Sequence, residues 1–343
     1  MNIFSKNTIL YKDKVFKSVK GMVFMNNQVS LERIKDTYGK EKLLNQFEFY
    51  LRRNRMFALN LINDIGVSFS TFFIVIPVIK KYGIFQKLNM RSKIAMSLCN
   101  EILDNTTGSF KIEEKYLMIT LEWMVNSAAY DDGIEDDFDT VIDVCYAKLL
   151  NEFKDTRMLK PAVDLAFSRN RKQQFNHDLI WAIFKSNDIK TLEYIAEYLK
   201  SPYNQDVAFS ENLLENITEG EITIDPDNKH ESYLNWIKDN SPYINFTDEC
   251  YNLSSKPTFF NVDMEAKYVC KPAMSMNVGF KLPASKIEEN NLETFRNLDE
   301  ETKRRLSSAS EKIYSSSPQQ WENWKKTDIK GQLDLISKYG GLL

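Results

Sequence analysis

Apolar residues recur at three- and four-residue intervals along most of this chain, which predicts a succession of amphipathic helices. Leu43, Leu44, Phe47, Tyr50, Leu51, Ala58, Leu61 and Ile62 form the first stripe, with Arg52, Arg53 and Arg55 set between its members. Residues 114–129 repeat the pattern through Tyr116, Leu117, Ile119, Leu121, Trp123 and Met124, and 139–153 through Val141, Ile142, Cys145, Leu149 and Leu150. Further helices are predicted over 159–167, 179–184, 192–199 and 207–217. They are separated by Asp131-Asp132-Gly133, Ser186-Asn187-Asp188 and Ser201-Pro202-Tyr203-Asn204, residue types that favour turns. Short polar connections make successive helices antiparallel neighbours.

Two stretches depart from that rhythm. Residues 65–79 carry no charge and end in Pro77-Val78-Ile79 before Lys80-Lys81. Extending the run back to Ala58 reaches membrane-spanning length only by taking in Asn60, Asn63 and Asp64, and a mid-segment Asp costs roughly 2.5–3.5 kcal/mol on insertion scales. The segment therefore predicts a buried helix. The chain changes character again near Pro242. Residues 251–283 are richer in Pro, Asn and Ser, and 261–270 predict a short strand pair or an ordered loop. Helices resume over 292–313 and 319–339, with Ser316-Ser317-Pro318 between them. Ser317 is a candidate N-cap and Pro318 a first helical residue. Trp321 and Trp324 share one helical face and read as core.

Asp139-Thr140-Val141-Ile142 with Ala147 and Leu150, and Asp206-Val207-Ala208 with Leu213, Leu214 and Ile217, resemble the opening and core positions of the second helix of a HEAT-type repeat. The resemblance covers about residues 114–218, and the spacing between its units is not constant. It implies a curved stack whose concave face binds protein or nucleic acid.

Charge sharpens the picture. Residues 1–94 carry 17 Lys/Arg and 6 Asp/Glu, whereas the remaining 249 carry 28 and 42, so a formal net of −3 conceals two regions of opposite sign. Such asymmetry marks a polyanion-facing end, or two surfaces that attract each other. Eleven Gly and nine Pro are too few for the many tight turns of a sandwich or barrel. Cys99, Cys145, Cys250 and Cys270 lack metal or CxxC spacing, and Met1 to Lys6 lack the apolar core of a signal peptide. Reduced thiols in a cytoplasmic protein are the expectation.

Candidate chemistry is sparse. Residues 61–76 resemble the helix-turn-helix of DNA-binding regulators. Ile65-Gly66-Val67-Ser68 would form the turn, Ser70-Thr71 would open the recognition helix, and Phe72 and Val75 would point into the core. The positions that would face bases, Phe69, Phe73 and Ile74, offer few hydrogen bonds to base edges. Ile62 stands where a small residue is usual, and Pro77 would kink the helix. The loop from Asp131 to Asp139 carries a DDxxE pattern (Asp131, Asp132, Glu135) similar to the magnesium-diphosphate site of class I terpene synthases. The second metal motif of that family begins at Asn187-Asp188 with Thr191, but Ile195 occupies its Glu position. The competing reading is a solvated loop in which Asp137 or Asp139 caps the next helix. Nucleotide-loop, zinc-protease and nucleophile-elbow motifs are absent, and neither His177 nor His230 has metal spacing to a Cys or His.

The sequence thus predicts an all-α, irregular helical-repeat (solenoid-like) stack with a less regular C-terminal region. Its parts are a basic region 1–94, a repeat-like domain 95–240 and a C-terminal region 241–343. The expected role is binding or scaffolding without a cofactor, towards a protein partner or a second copy, with membrane contact not expected. A nucleic-acid-binding regulator is the alternative, and a magnesium-dependent terpene-synthase-like enzyme a third reading. The contact residues expected are Lys12, Lys14, Lys17, Lys20, Arg52, Arg53, Arg55, Lys80 and Lys81, where aromatics among basic residues could stack on bases or meet an acidic protein face.

Overall fold

A computed structural model of the chain describes residues 29–105, 112–218, 228–247, 260–271 and 285–339. The chain is all-α, and strand structure among the described residues is confined to one two-stranded antiparallel sheet. It forms two compact units, Met1–Val141 and Ile142–Leu343. That division falls inside a helix, whereas the breaks in composition fall near 94 and 240.

The first unit begins with α1 (Leu31–Arg53), whose N-cap Ser30 accepts a hydrogen bond from the Arg33 amide at 3.1 Å. Gly39 interrupts α1 with φ +81°, a left-handed conformation that side-chain-bearing residues adopt only at a cost. Leu43, Phe47 and Leu51 then follow at four-residue spacing and are buried. Asn54 ends α1 by donating its amide to the Tyr50 carbonyl at 2.7 Å, and starts α2 (Arg55–Ile62) by accepting from the Phe57 amide at 3.1 Å.

Asn63 to Ser68 form the turn between α2 and α3 (Phe69–Tyr82), with the Asp64 carboxylate accepting from the Gly66 amide at 2.7 Å. Ser68, two residues before the expected opening at Ser70-Thr71, is the N-cap of α3 and accepts from the Thr71 amide. Helix α3 continues through Pro77, which lies on an exposed position, and Gly83 closes it at φ +59°. The remainder is α4 (Met90–Asp104), α5 (Glu114–Asn126), the one-turn α6 (Ala128–Asp131) and the start of α7 (Asp136–Ala147). Helices α1 and α5 pack on α3, and Phe69 lies against Phe73, Trp123 and Phe138 with ring centroids 5.6–5.8 Å apart. No described helix is long and apolar enough to cross a membrane.

The second unit holds the rest of α7, a widened turn at Lys148–Glu152, and α8 (Leu159–Arg171), α9 (His177–Lys185), α10 (Lys190–Ala196), α11 (Asn204–Thr218) and α12 (Lys229–Asn240). Asn187 turns the corner after α9 at φ +56°. The segment 261–270 ends a strand and opens a helix: β1 (Ile244–Phe246) pairs with β2 (Phe260–Val262), Asn245 opposite Asn261, and α13 (Met264–Tyr268) follows at once, capped by Asp263. The helix expected over 292–313 is two, α14 (Lys286–Arg296) and α15 (Glu300–Ser316), because Asp299 caps a new start through the Thr302 amide. The one expected over 319–339 is likewise α16 (Pro318–Lys325), capped by Ser317, and α17 (Ile329–Tyr339). Tyr268, Phe295, Leu306, Ile313 and Trp324 form the core of these last helices.

Candidate interaction surface

The basic residues expected to make contact separate into three groups. Lys12, Lys14, Lys17 and Lys20 lie outside the described residues. Arg52 and Lys81 converge on one carboxylate, Glu48, although Lys81 is remote from it in sequence. Lys81 Nζ lies 2.8 Å from Glu48 Oε1, Arg52 ion-pairs with the same oxygen, and the Tyr82 hydroxyl donates to it at 2.8 Å while accepting from Arg52 Nε at 2.6 Å. Lys80 is turned aside onto Asp104 at 2.9 Å. Arg53 and Arg55 make no ion pair among the described residues. The Arg53 guanidinium sits 5.6 Å from the centre of the Phe49 ring.

The cap at Asn54 explains why this cluster is built where it is. Ending one helix and starting another within a single residue brings Tyr50 of α1 edge-on against Phe57 of α2, at 5.2 Å and 90°, while Phe49 lies 6.0 Å from Tyr50. The result is a row of Phe49, Tyr50 and Phe57 with Arg53 over the Phe49 ring, and exposed Arg55 and Met56 immediately before Phe57 in the chain. Phe49 is 49%, Met56 68% and Phe57 37% exposed, values unusual for such large apolar side chains. Phe49 is two residues from both Phe47 and Leu51, so the helix turns it away from the buried stripe. That phase was the available signal for this surface, and the spacing of Glu48 and Arg52 was the signal for its ion pair.

Glu48 gives the surface a pH-dependent component. Hydrogen bonds from Lys81, Tyr82 and Arg52 hold its carboxyl down to about 2, against an ordinary 4.5. A depressed carboxylate contributes stability that is present above its unfolded value and disappears as pH falls through the folded one. The stability difference between the native chain and Glu48→Gln should therefore be steady above pH ~5 and shrink between pH ~4.5 and ~2. Urea midpoints at a series of pH values measure it. A difference that stays constant to pH ~2 would show that the cluster does not persist in solution.

In the segment that resembles a helix-turn-helix, a turn over residues 63–68 separates α2 from α3. Phe72 and Val75 are buried as expected, but so are Phe69, Phe73 and Ile74, the positions that would face bases. Every residue from Phe69 to Ile76 is buried, so the first two turns of α3 present no face to a groove. The acidic loop is also differently engaged. Asp131 accepts from Lys35 Nζ at 2.8 Å and from Ser70 Oγ at 2.6 Å, tying α1 and the start of α3 to α6. Burial would lower the Lys35 pKa, but its bond to Asp131 and the nearby Glu32 together raise it. Glu135 ion-pairs with Lys40. No group of three or more His, Cys, Asp or Glu side chains placed to hold a metal ion occurs among the described residues. Asp137 and Asp139 fall inside the first turn of α7, where their charge suits the helix dipole, and Asp139 accepts from the Gly133 amide at 2.8 Å.

The described cysteines are packing groups. Cys99 and Cys145 are buried, Cys270 half-buried and none is in a disulfide, while Cys250 lies outside the described residues. Burial pushes the Cys99 thiol up to about 12 and Cys270 up to about 11, which leaves neither a nucleophile near neutral pH. No protein-family model matches the chain, and comparisons with curated proteins and with solved structures give no match.

Proposed function

We propose that this chain acts by binding, and that the α1–α2 corner docks an acidic face of a protein partner. The observation that carries the reading is exposed Phe49 and Phe57 joined through Tyr50, with Arg53 over the Phe49 ring and exposed Arg55 and Met56 preceding Phe57 in the chain. Aromatic residues, Met and Arg are the types enriched in protein interfaces, where apolar anchors supply affinity and charge supplies steering and register. Residues 51–94 carry eight Lys/Arg and one Asp; with Arg52 and Lys81 held by Glu48 and Lys80 by Asp104, Arg53 and Arg55 are the cations at the corner that would attract an anionic partner. A protein is favoured over nucleic acid because the helix that would read bases is buried.

The HEAT-like reading of 114–218 would add a second binding surface, and it is supported by packing between helices adjacent in sequence, α8 on α9 and α10 on α11.

Charge reversal at two exposed positions tests the proposal with little risk to the fold. Arg53→Glu with Arg55→Glu should weaken partner capture about tenfold or more and flatten its salt dependence. Phe57→Ala should weaken it through loss of an anchor while leaving the salt dependence unchanged. The assay is pull-down from the native source with a nuclease-treated control. Retention of nucleic acid alone, or a partner indifferent to both variants, overturns the protein-docking reading.

A further inference from the structure

The first unit carries, besides the α1–α2 corner, a face of opposite charge. Lys35 and Lys40 of α1 ion-pair with Asp131 and Glu135, which fixes the stretch between α6 and α7 beside the N-terminal part of α1. Asp136 and Asp137, in the first turn of α7, are exposed and make no ion pair among the described residues. Tyr130, just before them in α6, is 90% exposed. The stretch 130–137 thus offers an aromatic ring and two unneutralised carboxylates, the counterparts of what the corner offers. The two faces are held apart within one copy. From Lys40 to Arg53 α1 runs without a break, which at 1.5 Å per residue is about 20 Å. That is twice the Debye length of about 10 Å at 0.1 M salt, so neither face neutralises the other in a single chain.

Two copies satisfy both faces at once. With their α1 helices antiparallel, each corner meets the other copy's acidic stretch, and the spacing matches at both contacts because the same helix sets it. Two-fold pairing is also the commonest closed assembly of soluble chains. We propose that the acidic face docked by the corner is the 130–137 stretch of a second copy, in a two-fold dimer that sets Arg53 and Arg55 against Asp136 and Asp137. Tyr130 then meets the exposed rings of Phe49 and Phe57, so that aromatic anchors supply affinity and the charges supply steering and register. The proposal rests on the corner being a docking surface, and names its partner.

Sedimentation velocity of the full chain over a range of concentrations and salt tests this. The dimer fraction should rise with concentration and fall with added salt. Arg53→Glu with Arg55→Glu, and separately Asp136→Lys with Asp137→Lys, should each weaken dimerisation about tenfold or more, because each sets like charges against each other. Mixing the two variants should restore a dimer of native affinity, since reversed charges then meet at one contact and native charges at the other. Asp136→Asn with Asp137→Asn, which keeps polar residues in the first turn of α7, should weaken the dimer by less and replaces the lysine variant if that fails to fold. A chain that stays monomeric, a dimer indifferent to both reversals, or variants that remain apart when mixed overturns the proposal. So does growth beyond the dimer, the mark of a head-to-tail contact. The docking reading is judged separately, by the pull-down. A monomeric chain whose corner still captures another acidic protein refutes only the second copy as partner, whereas loss of both refutes the corner as well.

Discussion

Asp143→Ala is expected to destabilise the second unit by about 3–5 kcal/mol. Arg169 has no exposed surface, and its Nη1 lies 2.7 Å from the Asp143 carboxylate, itself in a residue only 5% exposed. The guanidinium also reaches the Phe175 carbonyl at 3.4 Å, so the pair joins α7, α8 and the loop before α9. Two charges removed from water are tolerable only while they are paired, and deleting Asp143 takes from Arg169 the carboxylate that lies 2.7 Å away in a low-dielectric site. Arginine cannot relieve this by deprotonating, because its pKa lies above about 12. The double change Asp143→Leu with Arg169→Met removes both charges at similar volume and should recover most of the loss. Chemical denaturation followed by far-ultraviolet circular dichroism measures both. A loss under about 1 kcal/mol for the single variant, or a double variant no better than it, would sink the account.

Phe69→Ala should cost the first unit a comparable amount, about 3–5 kcal/mol, with Phe69→Leu costing clearly less. Phe69 is fully buried, stacked on Phe138 at 5.6 Å and edge-on to Trp123, and its amide donates to Ser127 Oγ at 2.9 Å. Truncation therefore opens a cavity at the place where α3 meets α5 and α7. The variant also separates two meanings of one residue. A side chain that reads bases is exposed until DNA arrives, and its removal would leave thermal stability nearly intact while weakening DNA binding. A shift of less than about 2 °C in the first unit's melting transition would favour that reading and refute the packing described above.

Local order was largely legible in the sequence. The spacing of Leu43, Phe47 and Leu51 marked the buried face of α1, and Ser317-Pro318 marked the start of α16, because both signals act within one or two turns. The breaks at Asn54 and Asp299 were present as capping residues, yet the apolar stripe ran through them and suggested continuous helices. What joins distant segments was not legible. Nothing near Asp131 in sequence points to Lys35, and nothing near Asp143 points to Arg169; Asp131 read as a solvated or ligand-seeking group until the fold supplied its cation. The candidate surface was half visible for the same reason. Arg52, Arg53 and Arg55 were conspicuous as a run, but the carboxylate that draws Arg52 to Lys81, and the turn that presents Phe49 and Phe57 together, arise only from packing α1 against α3 and α2.

Asn54 closes one helix and opens the next, so one residue, through its side chain and its own amide, caps both helix ends that meet at the corner. Fraying at the end of α1 and at the start of α2 is then one event. Phe49, Tyr50 and Phe57 are correctly spaced together or not at all. A partner that grips the corner in its ordered form must stabilise both helix ends at once. Affinity at this surface and rigidity of the joint beneath it are in that sense the same quantity, and a change in either is felt as a change in the other.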